Sequence, residues 1–344
     1  MTVLITGGAG YIGSHCCVAF LQAGHDIVVL DNLSNATSIS LDRIAEITGQ
    51  KVVYEQADIR DQAKLETILK QHRCSAVVHF AGLKAVGEIH QSPPLAYYDN
   101  NVVGTHRLLS AMANCGVKQM IFSSSATVYG EPQFLPLTED HPTRAVNPYG
   151  RTKLIIEDML RDVAASDPSW GFGILRYFNP VGAHDSGLIG ENPLGIPNNL
   201  MPFITQVADG RREQLSVFGN DYDTRDGTGV RDYIHVTDLV EGHLRAHEVL
   251  ASGSAPSNCF AVNLGTGNGY SVLEMVRAFE RASNKEIRFS FAPRRDGDVA
   301  ECYANTELAH KVLNWKAERD LDAMCRDTWN WVCKNPRGYE TAVD

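Results

Sequence analysis

Short apolar runs recur through the first half of the chain, and between them apolar residues return every three or four positions. That alternation predicts βαβ units and a parallel sheet. Strands are expected at Thr2 to Thr6, Asp26 to Leu30, Lys51 to Glu55, Ala76 to Phe80, Gln119 to Ser123 and Gly173 to Arg176. Strands in this pattern make an α/β fold with a Rossmann-like, doubly wound parallel sheet. Helical periodicity from Tyr11 to Ala23 stops at Gly24, a residue suited to the left-handed position after a helix. Asp61 reads as the N-cap of a helix reaching Gln71. Pro93-Pro94 opens a long helix to about Cys115, and Asn147-Pro148 starts another that runs to about Ala165.

After Arg176 the texture changes. Asn179-Pro180, Gly182, Gly187, Gly190, Asn192-Pro193, Gly195 and Pro197-Asn198-Asn199 crowd into one irregular stretch. A loop of that length in a compact protein is usually functional. Beyond it, strands at Gln214 to Phe218 and Phe260 to Leu264 and helices at Thr237 to Leu250 and Val272 to Ala282 suggest a smaller C-terminal α/β lobe.

The chain has 344 residues, room for a large core and a second lobe. Its net charge of −10 argues against a nucleic-acid surface, which needs a basic stripe. No apolar stretch is long enough for a membrane span and the N-terminus reads as no targeting signal, so a cytoplasmic location is expected. The eight cysteines are scattered without a Cys-x-x-Cys pair and read as reduced thiols. No metal is expected, because the twelve histidines are not read as ligand pairs with carboxylates beside them.

The turn Gly7-Gly8-Ala9-Gly10-Tyr11-Ile12-Gly13 follows the first strand and opens the first helix. In that setting glycines allow a tight turn, close approach of backbone to a pyrophosphate and close packing of helix on strand. The helix N-terminus then offers N–H groups and partial positive charge to phosphates. Asp31 closes the second strand, where a carboxylate binds ribose hydroxyls and repels a 2′-phosphate, which favours NAD over NADP. Asp58, at the end of the third strand, is a plausible adenine contact.

Tyr149 and Lys153 lie one helical turn apart on one face. A phenol ordinarily titrates near pH ~10, and positive charge from Lys153 and an oxidised nicotinamide would bring it toward a useful range. The fifth strand ends in Ser123-Ser124-Ser125-Ala126-Thr127, at the sheet edge where such folds bind ligands. A hydroxyl there can hydrogen-bond an oxygen passing between alcohol and ketone. The residues therefore point to redox chemistry on an alcohol.

Together, the Gly7 to Gly13 turn, Ser125, Tyr149 and Lys153 resemble the extended short-chain dehydrogenase/reductase family. Phe80-Ala-Gly-Leu-Lys84-Ala-Val-Gly-Glu, Ser123-Ser-Ser-Ala-Thr-Val-Tyr-Gly130, Arg176-Tyr-Phe-Asn-Pro-Val-Gly182, Ile196-Pro-Asn-Asn-Leu-Met-Pro202 and Gly229-Val-Arg-Asp-Tyr-Ile-His235 are similar to its UDP-glucose 4-epimerases. The similarity runs from Val3 to about Tyr339.

It implies an NAD-binding domain over residues 1–176 and a lobe over 177–344 that mainly binds the UDP-sugar, with some segments able to return to the first domain. It implies Tyr149, Lys153 and Ser125 as catalytic residues. Gly7, Gly10, Tyr11, Ile12, Gly13, Asp31, Asn32, Asn35, Asp58, Ile59, Phe80, Ala81, Gly82, Lys84, Asn100 and Phe178 would bind NAD. Asn179, Asn199, Leu200, Phe218, Arg231, Tyr233, Arg295 and Asp298 would hold the UDP-sugar, with arginine forks on the diphosphate.

At the position of Cys302, a tyrosine accompanies relatives confined to UDP-glucose and UDP-galactose, and a smaller residue those that also take N-acetylated sugars. Cysteine implies both pairs, unless the register through this loop puts Tyr303 there instead. A homodimer built from helices of the first lobe is also implied. A nucleotide-sugar 4,6-dehydratase would need carboxylates at the end of the fifth strand, where this chain has Ser125-Ala126-Thr127. A non-catalytic NAD sensor would have no use for Tyr149 with Lys153, and a dehydrogenase would need diffusible NAD.

Overall fold

The first lobe is built from β1 (Thr2–Thr6), α1 (Tyr11–Gln22), β2 (Asp26–Asp31), α2 (Ile39–Thr48), β3 (Val53–Gln56), α3 (Gln62–Gln71) and β4 (Cys74–His79). It continues through α4 (Pro94–Tyr97), α5 (Gly104–Cys115), β5 (Gln119–Ser125), α6 (Pro148–Ser166) and β6 (Gly171–Tyr177). Then follow β7 (Asn179–Val181), α7 (Leu200–Ala208), β8 (Leu215–Phe218), β9 (Val230–His235), α8 (Val236–Ala251) and β10 (Cys259–Leu264). The chain ends in β11 (Gly269–Ser271), α9 (Val272–Ser283), β12 (Phe289–Ala292), β13 (Glu301–Cys302), α10 (Glu307–Leu313) and α11 (Leu321–Lys334). This computed structural model describes residues 1–84, 93–295 and 297–339. Ala85 to Glu88 of the Phe80 motif, and Asp296, lie outside the described residues.

The main sheet has seven parallel strands in the order β10-β6-β5-β4-β1-β2-β3. Six were expected from the first half; β10 is the seventh, pairing Cys259 to Leu264 with Phe172 to Tyr177 across 81 residues of intervening chain. The reason is apolar: Phe260, Val262 and Leu264 join α8 and α1 in the core on one face. Alternate residues of β1 serve both faces, with Val3 and Ile5 in that core and Leu4 in the other, beside α3, α5 and α6. Strand order reverses between β1 and β4, so their carboxyl ends frame a crevice.

Local signals set the helix ends. Asp61 Oδ1 accepts from Lys64 N at 3.0 Å, and Asn147 Oδ1 accepts from Gly150 N at 2.7 Å with Pro148 in the first turn. The expected helix from Pro94 to Cys115 is interrupted by a π-helical segment, Tyr98–Val103. The second lobe has two small sheets: β9 takes β11, β13 and β7, while β8 pairs β12. Its core gathers α7, α9 and α11 around Tyr233, Met275 and Met324. Among the described residues no helix is long and apolar enough to cross a membrane.

At the start of α1 the backbone leaves no room for a side chain. A Cβ on Gly13 would overlap the Gly7 carbonyl oxygen, and one on Gly7, at φ +70°, would lie 2.8 Å from Ala81 N. Gly13→Ala should therefore destabilise the fold by about 1–3 kcal/mol, as overpacking against backbone does. Urea denaturation checks this, and an unmoved midpoint would mean that the turn yields freely.

Candidate active site

A cavity of about 450 Å³ opens at the crevice between the ends of β1 and β4. Its floor is the glycine turn, with Gly7, Gly10, Tyr11, Ile12 and Gly13 all on its surface. Because Gly7 and Gly13 have no space for a Cβ, bare backbone faces the cavity there and leads into the N-terminus of α1. Such a cradle suits a pyrophosphate. Asp31, Asn32 and Asn35 line one end, and Phe80, Ala81, Gly82, Lys84 and Asn100 the side beyond β4. Asp31 accepts from Ala9 N at 3.1 Å and Leu33 N at 2.9 Å. Burial raises its carboxyl against those two bonds.

Asp58 is placed differently from its neighbours. Ala57 and Ile59 line the cavity, but the Asp58 carboxylate is taken by Arg60 at 2.8 Å and by Asn32 Nδ2 at 3.1 Å. The Arg60 hydrogen bond holds it well below the usual carboxylate range.

At the other end of the cavity α6 brings in Tyr149 and Lys153, both buried. Lys153 Nζ donates to the Ser123 carbonyl at 2.7 Å and lies 5.7 Å from the Tyr149 ring centre. Burial pulls its pKa down to about 8, with Glu157 opposing. The Tyr149 phenol shifts in the opposite direction. Burial pushes it well above its ordinary value and Tyr177 adds to this, while a hydrogen bond with Ser125 works the other way. The protein's own groups thus leave Tyr149 protonated at neutral pH, so further positive charge is needed beside it. Ser125 also accepts from Thr127 N at 3.2 Å and Thr127 Oγ1 at 3.0 Å, which fixes its hydroxyl oxygen at the end of β5.

Strand register assembles a second group of residues. Asn179 on β7 stands opposite Tyr233 on β9, and Cys302 on β13 opposite Arg231. Arg295 Nε donates to Asp298 at 2.8 Å, Arg231 lies 3.9 Å from the same carboxylate, and the Arg295 guanidinium lies 4.8 Å from the Phe218 ring centre. Leu200 packs into the core that holds Tyr233. Of the residues expected on a UDP-sugar, Asn199 alone borders the main cavity; the others gather around β9. Phe178 likewise leaves the cavity surface and packs with Val128, Leu137 and Cys302. Cys302 packs against the same cluster, whereas the Tyr303 ring faces Gly269.

Three residues were not singled out from sequence. Tyr177 lines the cavity and bears on Tyr149; its place at the end of β6, just before Phe178, was the available signal. Glu191 lines it too and accepts from Asn199 Nδ2 at 2.7 Å. Glu157, one turn beyond Lys153, accepts from Ser124 Oγ at 2.6 Å, Arg176 Nη2 at 2.7 Å and Arg161 Nη2 at 2.6 Å. His243 and His247, contrary to the sequence reading, do stand at His-x-x-x-His spacing on α8. Their rings part company: His243 meets Ser123 and Phe80, and His247 meets Phe20 and His25. Among the described residues no group of three His, Cys, Asp or Glu could hold a metal ion.

The sequence model of the family described as GDP-mannose 4,6 dehydratase matches residues 4–328. A UDP-glucose 4-epimerase of Bacillus subtilis is 55% identical over 99% of this chain and 100% of its own length. A crystal structure of a UDP-glucose 4-epimerase from Stenotrophomonas maltophila, with bound NAD and formylated UDP-arabinopyranose, is 50% identical with a TM-score of 0.95, covering 98% of this chain and 99% of that one. Another from Bifidobacterium longum, in complex with NAD+ and UDP, is 50% identical with a TM-score of 0.93, covering 98% and 100%.

The Glu157 contacts give a stability prediction. Burial alone would raise this carboxyl, but the hydrogen bonds and charge of Arg176 outweigh it and hold its pKa below the ordinary glutamate value. A depressed folded-state pKa stabilises the fold above the unfolded value, near ~4.3, and that contribution is lost as pH falls through the folded one. Glu157→Gln should cost about 3–5 kcal/mol at pH ~7, by leaving Arg176 buried without its partner. Denaturation of parent and variant at neutral and acid pH checks this: their difference should shrink as pH falls.

Proposed function

The chain belongs to the UDP-glucose 4-epimerase family, and on that footing we propose how its residues carry out the reaction. The protein is an NAD-dependent isomerase that interconverts UDP-glucose and UDP-galactose at C4 through a transient 4-keto sugar. NAD, when bound, supplies the hydride acceptor and returns the hydride to the other face of the sugar. The observation that carries the assignment of roles is the burial of Tyr149 and Lys153 in the cavity that also exposes the bare backbone of Gly7 and Gly13.

The glycine turn and the α1 N-terminus hold the pyrophosphate, and Asp31 binds the adenosine ribose hydroxyls. Tyr149 takes the proton of the sugar 4-hydroxyl and gives it back. The positive ring of the oxidised cofactor would bring down its phenol, which burial raises, and Lys153 would hold the nicotinamide ribose. Ser125 holds the reacting oxygen. Arg231 and Arg295 take the diphosphate, for which their forks are suited. The dehydratase reading, suggested by the matching family's description, is disfavoured because β5 runs out into Ser125-Ala126-Thr127 with no carboxylate among them.

A homodimer is supported by exposed apolar residues on α4, the segment before α5 and α6, namely Leu95, Val103 and Ile155. The eight free thiols support a reducing compartment, the cytoplasm.

Tyr149→Phe should keep the fold and lower turnover by about 10² to 10⁴, the share of a positioned acid-base group. The assay is conversion of UDP-galactose without added cofactor, followed by product separation; turnover within threefold of the parent would remove Tyr149 from the mechanism. Cys302 packs against the cluster that holds Phe178, and its side chain is far smaller than a tyrosine ring. The parent should therefore also epimerise UDP-N-acetylglucosamine and UDP-N-acetylgalactosamine. Cys302→Tyr should lose that pair by about tenfold or more while keeping the first, in line with steric exclusion from a shaped pocket. Rates on both sugar pairs decide it.

A further inference from the structure

One wall of the cavity has no regular secondary structure. Gly190 to Leu194, Ile196 and Asn199 border the cavity from the irregular segment between β7 and α7. A wall of that kind takes its position from what stands behind it, and here that is α11 with the turn that follows. Side chains of Asn330, Lys334 and Asn335 donate to the successive carbonyls of Asp185, Ser186 and Gly187, at 2.7, 2.7 and 2.8 Å. Trp331 fills the space where Gly190 lacks a side chain, and the backbone of Gly338 lies against the Asn192 amide.

Tyr339 completes this arrangement. Its hydroxyl accepts from Gly190 N at 3.4 Å, and its ring centre lies 4.8 Å from that of Trp331. It shares an apolar cluster with Ile39 at the start of α2, and it lines the cavity itself. The residue therefore joins the α2 side of the cavity to the irregular wall facing it.

We propose that Tyr339 is a cofactor-site residue that slows NAD release, with α11 and its following turn acting as a clasp on the wall it closes. The proposal rests on the NAD reading given above. A cofactor that is reduced and reoxidised within one turnover must not leave between the two steps, so slow release serves this chemistry directly. The ring of Tyr339, packed rather than merely hydrogen-bonded, is the part that matters.

The test uses the full chain with NAD bound. Release is followed by chasing with excess labelled NAD, and epimerisation is assayed after desalting, with and without added NAD. Tyr339→Ala should release NAD at least about tenfold faster, as removal of a packed aromatic allows. Its activity after desalting should fall and return when NAD is added. Tyr339→Phe keeps the ring and should stay within about threefold of the parent, the size of one neutral hydrogen bond. Gly338→Ala, whose Cβ would overlap the Asn192 amide at φ +67°, should lift the turn and speed release as Tyr339→Ala does. Release from Tyr339→Ala within about twofold of the parent would overturn the proposal, since a retaining contact acts on the off-rate. So would a loss of activity that added NAD does not restore. A parent that neither holds NAD nor epimerises would instead overturn the functional reading on which the proposal stands.

Discussion

Backbone against backbone at the first strand-to-helix turn is the constraint from which the rest of the site follows. The overlap that any Cβ on Gly13 would make with the Gly7 carbonyl brings α1 close to the end of β1. The same closeness at Gly7 draws in Ala81, the residue that leaves β4. Because β1 and β4 are also where strand order reverses, the crevice that any doubly wound sheet has at that point becomes deep and lined by peptide groups. A larger residue at either glycine would separate the two strand ends and fill the crevice between them.

The reacting end depends on a different device, the face of α6 that repeats every four residues. Tyr149 faces the cavity, Lys153 is tied to the Ser123 carbonyl, and Glu157 is locked among Ser124, Arg176 and Arg161. Two of these attachments go to the end of β5, so helix and strand are registered against each other by polar contacts in a buried place. Arg176 carries the network further, donating to Tyr129 OH at 3.1 Å and to the Glu139 carbonyl at 3.0 Å. Tyr129 in turn donates to Asn263 on β10 at 2.6 Å. Buried polar networks of this kind hold geometry firmly because each unpaired member would carry a large desolvation penalty.

The parallel sheet, the glycine cradle and the Tyr149/Lys153 face were legible because each is written in local periodicity or local spacing. Pairing over long separations was not. Strand β10 reads from its sequence as part of the later lobe, and only the shared apolar face with α8 and α1 shows why it joins the first sheet. Asp58 illustrates a different limit: its position was legible, but the claim of Arg60 on its carboxylate depends on side-chain conformations that spacing does not encode. The residues expected on the UDP-sugar came mainly from family resemblance. Their gathering around β9 is a matter of register among three short strands whose sequences carry little signal of their own.

The late arrival of β10 has a consequence for how the chain is made. Until Cys259 to Leu264 have been synthesised and have docked, β6 is the outer strand of the main sheet, with one row of peptide groups open. The glycine turn, by contrast, lies far upstream of β10, directly after β1. Translation thus produces the nucleotide cradle well before it closes the sheet that supports the reacting end, and during that interval an open strand edge is available for wrong partners. A nascent chain of this protein is most in need of chaperone cover over that interval, after the helix bearing Tyr149 has formed and before its sheet is finished.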